Sequence, residues 1–205
     1  MESYRICVLG DSGVGKTKLM ETYSSSTLSA PGLVNIFATE ELGRVVEWWD
    51  FAGSQAYEGL RRMLYTFFDG CVLVYDLSNC NSYRNLHKWE AEIAPWLSLP
   101  ETKAFAPVLV VGNKADLAQE AIKYSITAPH TVACAATGAF DSSHWRSFLE
   151  EMLDSPRKAD LIRANKLLEA TIRPDIGLES NSPWAQVWRW VRKKFVKTQS
   201  PLLPR

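Results

Sequence analysis

Gly10-Asp11-Ser12-Gly13-Val14-Gly15-Lys16-Thr17 follows directly on the run Tyr4-Arg5-Ile6-Cys7-Val8-Leu9 and opens onto Lys18-Leu19-Met20-Glu21-Thr22-Tyr23. The octet matches G-x-x-x-x-G-K-[ST], a loop that wraps its backbone around a polyphosphate when it joins a buried strand to a helix. Both flanks meet that condition, since residues 4–9 are apolar and β-rich and residues 16–23 read as a helix. Gly10, Gly13 and Gly15 leave space for inward-turned N–H groups, and the start of the helix adds the positive end of its dipole. Asp11, Ser12, Gly13, Val14, Gly15, Lys16, Thr17 and Lys18 are therefore the expected phosphate-binding positions. Lys16 can reach β- and γ-phosphate oxygens as a point charge, and the Thr17 hydroxyl is placed to coordinate Mg²⁺.

Outward from this loop, residues 33–39, 44–50, 71–75 and 107–111 read as strands, and 130–135 as a weaker one. Helix-length segments lie between them. Leu86, Trp89, Ile93, Trp96 and Leu97 fall on one helical face, and after Asp141, an expected N-cap, Trp145, Phe148, Leu149, Met152 and Leu153 form a second apolar stripe. Strands alternating with helices predict an α/β sheet covered by helices.

Asn113-Lys114-Ala115-Asp116 follows the strand at 107–111 and has the N-K-x-D pattern that reads guanine. A carboxylate at Asp116 can accept from both the ring N–H and the exocyclic amino group of guanine, whereas adenine would leave it unmatched. Asn113 is expected to brace this loop against the phosphate cradle, with the Lys114 stem along the base plane. Asp50-Phe51-Ala52-Gly53 ends the strand at 44–50, giving a carboxylate for Mg²⁺ and, at Gly53, an N–H for the γ-phosphate.

With these motifs in this order, the chain resembles the Ras superfamily of small GTPases, and its wording is similar to the Rab branch. The residues that carry the likeness are Gly10 to Thr17, Trp49-Asp50-Phe51-Ala52-Gly53, Val74-Tyr75-Asp76-Leu77-Ser78-Asn79 and Ser82-Tyr83-Arg84-Asn85-Leu86-His87-Lys88-Trp89. The resemblance covers about residues 3–154. It implies a P-loop NTPase domain with a six-stranded, mainly parallel sheet flanked by helices, GTP or GDP with Mg²⁺ held by Thr17 and Asp50, and two loops that change shape on hydrolysis. It further implies effector, exchange-factor and activating partners and a part in intracellular membrane trafficking.

Three positions depart from the family pattern. Where the family places a water-orienting glutamine after the D-x-x-G glycine, this chain has Ser54, with Gln55 one position later; these two are the candidate catalytic residues. Small GTPases without a partner turn over at about 4 × 10⁻⁴ per second, so a serine in that place predicts hydrolysis slower still. Ala30-Pro31-Gly32 stands where a Rab presents Thr-Ile-Gly, which leaves Thr27 or Ser29 to supply a switch hydroxyl. Cys134-Ala135-Ala136 replaces Ser-Ala-Lys at the base, keeping a backbone N–H for the guanine oxygen. A pseudo-GTPase scaffold, holding GTP stably and working through its C-terminal helices or a dimer contact, is the rival reading.

The chain has 205 residues, 46% hydrophobic and 22% charged, enough for one domain with an appendage: a nucleotide-binding domain over 1–155 and a helical extension over 156–205. Equal numbers of acidic and basic residues provide no overall field for nucleic acid. Cys7, Cys71, Cys80 and Cys134 are widely spaced and read as reduced thiols of a cytoplasmic protein. No apolar run reaches the roughly 18 residues of a membrane span, Glu2 excludes myristoylation, and the C-terminal sequence offers no cysteine to prenylate.

In the extension, Leu161, Leu168 and Ile172 share one helical face. Beyond a loop at 174–183, Trp184, Val187, Trp188, Val191 and Phe195 line a helix whose other sides carry Arg189, Arg192, Lys193, Lys194 and Lys197. Docking onto the domain, peripheral contact with an anionic membrane and binding of a partner protein all fit that helix. A monomer and a homodimer are both compatible with the sequence.

Overall fold

The alternation of strand and helix signals is realised in a computed structural model, described here over residues 3–24, 27–30, 32–99, 104–117, 130–133, 143–155 and 158–172. In chain order the elements are β1 Tyr4–Leu9, α1 Lys16–Tyr23, β2 Thr27–Ala30, β3 Val34–Glu41, β4 Arg44–Phe51, a 3-10 turn Gln55–Tyr57 and α2 Glu58–Met63. There follow β5 Gly70–Asp76, α3 Cys80–Arg84, α4 Leu86–Leu97, β6 Val108–Asn113, β7 His130–Ala133, α5 Ser143–Leu153 and α6 Lys158–Ile172.

The strands form one sheet in the order β2-β3-β4-β1-β5-β6-β7. Pairings of β1 with β4 and β5, of β5 with β6 and of β6 with β7 are parallel, while β2-β3 and β3-β4 are antiparallel. All six expected strands are present, and the sheet has one more, β2, in the serine-rich stretch that reads as a loop. Its residues pair Thr27 with Phe37 through Ala30 with Val34, so a four-residue segment is held as a strand by edge pairing to an apolar neighbour. The β3-β4 hairpin turns over Leu42 and Gly43, both at positive φ, as a two-residue turn with the native twist requires.

Side-chain alternation along the strands sorts the core into two layers. Ile6, Val8, Val46, Trp48, Val72 and Val74 face α1 and α5. Cys7, Leu9, Trp49, Phe51, Cys71 and Leu73 face the layer containing α4. Trp145, Phe148, Leu149, Met152 and Leu153 of α5 are all buried, and the Trp145 ring stacks on Trp48 at 5.3 Å while Tyr23 meets both rings edge-on. Cys7 and Cys71 sit in register on neighbouring strands as buried thiols, and burial pushes the Cys7 thiol well up. Cys134, Asp141 and the 184–195 helix lie outside the described residues. No described helix is long and apolar enough to cross a membrane.

Helix α6 packs back on this body. Leu161 is buried, and the Asn165 amide binds the backbone of Phe67 at both ends: Phe67 N–H donates to Oδ1 at 2.8 Å and Nδ2 donates to the Phe67 carbonyl at 3.0 Å. Phe67 lies in the connection between α2 and β5. Asn165→Ala leaves the Phe67 N–H and C=O, which belong to the two successive peptides around this half-buried residue, unpaired and is expected to cost about 1–2 kcal/mol in chemical denaturation, against a small effect for exposed Leu167→Ala.

Candidate functional site

A doubly wound sheet opens its crevice at the carboxyl ends of the strands flanking the point where the winding reverses. That end of β1 carries Gly10, of β4 Asp50, of β5 Asp76 and of β6 Asn113. Between the first two lies a cavity of about 460 Å³, lined among others by Ser12, Gly13, Gly15, Lys16, Thr17, Lys18, Asp50, Gly53 and Ser54.

The phosphate loop is held from three sides. Gly10 at φ +147 presses on β5 so closely that a Cβ there would stand 2.1 Å from the Val74 carbonyl oxygen. Asn113 Nδ2 donates to the Val14 carbonyl at 2.9 Å, and a Cβ on Gly15 would sit 2.4 Å from that nitrogen. Lys114, at φ 62, donates from Nζ to the Gly13 carbonyl at 2.8 Å and to Asp76 Oδ2 at 2.7 Å. The third side is Gly53, where a Cβ would lie 2.5 Å from both Gly10 O and Ser12 N.

Lys16 is buried and donates to the Gly10 and Asp11 carbonyls at 2.8 and 2.9 Å. An ammonium has three protons, so one is left for an anion in the cavity. Burial lowers its pKa despite the nearby charges of Asp50 and Asp11, and an anion beside it would oppose that shift. Asp50 accepts from the Thr17 hydroxyl at 2.6 Å and from Asn35 Nδ2 at 3.3 Å, both on Oδ2. Its other oxygen, Oδ1, is buried without a hydrogen-bond partner, and burial raises the carboxyl above its ordinary range. A buried carboxylate oxygen lacking a donor, beside a threonine hydroxyl, fits a hard cation such as Mg²⁺, so Thr17 and Asp50 could hold one.

Several expected residues sit differently from a simple cradle. The Asp11 side chain turns away from the cavity, accepting from Asn85 Nδ2 at 2.8 Å on one oxygen and from Trp89 Nε1 at 2.8 Å on the other. Lys18 is exposed and pairs with Glu21 at 3.5 Å, while still bordering the cavity. Ser54 lines the cavity, and its Oγ accepts from Ala56 N–H at 3.3 Å as the cap of the 3-10 turn. Gln55 is exposed and does not line the cavity, whereas Tyr57 does. Asp116 is exposed in the turn after β6. Cys134, Ala135 and Ala136 lie outside the described residues, as do the side chains of Thr27 and Ser29. The β2-β3 register places Ser29 opposite Asn35, next to the cavity, and Thr27 two residues further away.

Asn35 and Tyr57 lie outside every quoted motif, and Asp76, Asn85 and Trp89 lie within the family-like wording but with no sign of the contacts they make here. Asn35 alone carries a local signal, as a polar, strand-averse residue inside Leu33-Val34-Asn35-Ile36-Phe37. Burial would raise the Asp76 carboxyl, but hydrogen bonds from Lys114 and Ser78 outweigh it and hold the pKa below the ordinary 3.8. A depressed folded-state pKa contributes stability above the unfolded value and loses it as pH falls through the folded one. Asp76→Asn is therefore expected to cost about 1 kcal/mol at pH 7 and progressively less below pH 3.8 in a denaturation series, since the pair is partly exposed.

Comparison with known proteins agrees with this arrangement. The Ras family model matches residues 5–143. Among curated proteins, the "Ras-related protein Rab7" of Glycine max is 38% identical over 121 residues, 55% of this chain and 58% of the relative. The "Ypt/Rab-type GTPase YPT7" of Saccharomyces cerevisiae is 34% identical over a stretch of the same extent. The "Ypt/Rab-type GTPase Rab7" of Neurospora crassa is 30% identical over 173 residues, 80% of this chain and 82% of the relative. The chain thus spans 58% of the length of the first of these relatives and most of the last. With the family pattern matched across residues 5–143 and one relative covered over 82% of its length, the chain belongs to the Ras family, in its Rab-type branch.

Proposed function

We propose that this protein is a guanine-nucleotide switch that holds GTP or GDP in the cavity between β1 and β4, with slow intrinsic hydrolysis and a role in intracellular membrane trafficking. The observation that carries the reading is the meeting of three motifs at one sheet edge, with Asn113 hydrogen-bonded to the Val14 carbonyl of the phosphate loop. Lys16 and the N–H groups of Asp11, Ser12, Gly13, Val14, Gly15, Thr17 and Lys18 take the phosphates. Asp116 selects guanine, Lys114 flanks it, and the 134–136 segment meets its carbonyl oxygen. Bound between Thr17 and Asp50, Mg²⁺ would neutralise phosphate charge. Gly53 presents its N–H to the terminal phosphate. The trafficking role and the exchange, activating and effector partners follow the Rab-type relatives. Residues 1–155 form the nucleotide-binding unit in this reading, and 156–205 an extension whose first helix is docked on it.

Ser54 and exposed Gln55 favour slow chemistry, because a serine engaged as a helix-turn cap offers no long amide to orient water. Single-turnover hydrolysis is expected below about 4 × 10⁻⁴ per second, and a rate at or above that value would contradict it. The same two residues support a second reading, a scaffold that keeps GTP bound. Complete loss of measurable turnover with GTP retained through purification would select it over the switch.

A further inference from the structure

Arg61 is an arginine in α2 whose side chain is 2% exposed, although Arg62 beside it is in solvent. A buried guanidinium is tolerated only when its donors are matched. Here Nε donates to Glu92 Oε1 at 2.9 Å and to Tyr65 Oη at 3.1 Å, and Nη2 donates to Glu92 Oε2 at 3.0 Å. Tyr65 in turn donates to Glu92 at 2.6 Å. Burial would lower the Arg61 pKa, but the bonds to Glu92 and Tyr65 more than offset it, so the group stays charged.

The remaining nitrogen turns elsewhere. Nη1 donates to the Ala52 carbonyl at 2.8 Å and to the Ser54 carbonyl at 3.1 Å, the two oxygens that bracket Gly53. The Ala52 carbonyl and the Gly53 N–H belong to one planar trans peptide, so gripping the oxygen aims the N–H the opposite way, away from the guanidinium. Gly53 itself lies against the phosphate loop at Gly10 and Ser12. The guanidinium also stacks on the Trp89 ring at 4.5 Å, and the Trp89 N–H is the one bound to Asp11 of that loop. One side chain thus joins the Gly53 peptide, α4 and the phosphate loop.

We propose that Arg61 is a positioning residue of the nucleotide site, held by Glu92 and Tyr65, which aims the Gly53 N–H at the terminal phosphate and so sets the preference for triphosphate over diphosphate. The proposal depends on the guanine-nucleotide reading above. A lysine at 61 supplies a point charge in place of a planar fork and cannot hold Glu92 and both carbonyls together. With Gly53 taken as the contact of the terminal phosphate, a diphosphate would lack that contact, whereas a purely structural defect would weaken both nucleotides alike.

The test measures affinities of the full chain for fluorescent GDP and fluorescent GTPγS in MgCl₂, for wild type, Arg61→Lys and the isosteric Glu92→Gln. Arg61→Lys is expected to lower GTPγS affinity about tenfold with GDP changed less than about twofold, and Glu92→Gln to shift the ratio in the same direction. Should Arg61→Lys fail to fold, the Glu92→Gln ratio decides alone. Equal weakening of both nucleotides, or no change in either, overturns the proposal while the guanine-nucleotide reading stands. A wild-type protein that binds neither nucleotide overturns both.

Discussion

Asp116→Ala is expected to lower affinity for GDP by about 10²–10⁴-fold, because two hydrogen bonds from the base to a charged acceptor, each worth about 1.5–3 kcal/mol, disappear together. The loss should be nearly confined to binding. Asp116 is exposed in the turn after β6, and exposed polar positions outside caps and ion-pair networks usually change stability by less than about 0.5 kcal/mol. Titration with fluorescent GDP, alongside thermal melting of nucleotide-free protein, separates the two effects. Unchanged affinity would remove Asp116 from the base site and with it the argument for guanine. Intact binding with reversed preference, adenine over guanine, would relocate the base without removing the phosphate cradle.

Gly10→Ala is expected to be the most damaging added methyl among the described glycines. The added carbon would stand 2.1 Å from the Val74 carbonyl oxygen and 3.4 Å from a Val14 methyl, and φ +147 is itself strained for an L side chain. Val74 belongs to β5, paired with β1 on one side and β6 on the other, so the oxygen cannot withdraw without disturbing central strands. A loss of about 3–5 kcal/mol follows from overpacking and backbone strain combined, or roughly 10 °C in melting temperature for a domain of this size. Gly13→Ala is the control. Its φ is also positive, but an added Cβ meets nothing within 4 Å, so its cost should be confined to about 1–2 kcal/mol of backbone strain. Equal destabilisation by the two substitutions would mean that β1 and β5 are less tightly apposed than described.

Much of this was legible in the chain because the signals are local. The phosphate loop, the Asp50 to Gly53 turn and the Asn113 to Asp116 turn each end an apolar strand, and a parallel sheet brings carboxyl ends to one edge whatever lies between. The stripe from Trp145 to Leu153 needed only helical periodicity, and every residue in it is buried. What escaped depends on partners far along the chain. Arg61 stands beside a second arginine with no motif around it, and nothing near it announces Glu92, 31 residues on. Trp89 reads correctly as core by its spacing, yet spacing cannot reveal that its indole N–H reaches back 78 residues to Asp11. Strand β2 is only Thr27, Leu28, Ser29 and Ala30, too short to show an alternating pattern, and it depends on pairing with β3. The Asn165 contact with Phe67 belongs to the same group, since an asparagine on a helix gives no sign of which backbone it will bind. The basic tryptophan helix at 184–195 and the Cys134 to Ala136 segment remain expectations from sequence.

The identity of the nucleotide is measured directly by chromatography of what the purified chain releases on denaturation, after preparation in Mg²⁺ without added nucleotide. Guanine nucleotide, GDP or GTP, is expected at close to one equivalent per chain, with at least a thousandfold weaker binding of ADP than of GDP in direct titration. A chain that releases no guanine nucleotide and binds GDP no better than ADP would contradict the assignment of this site to guanine nucleotide.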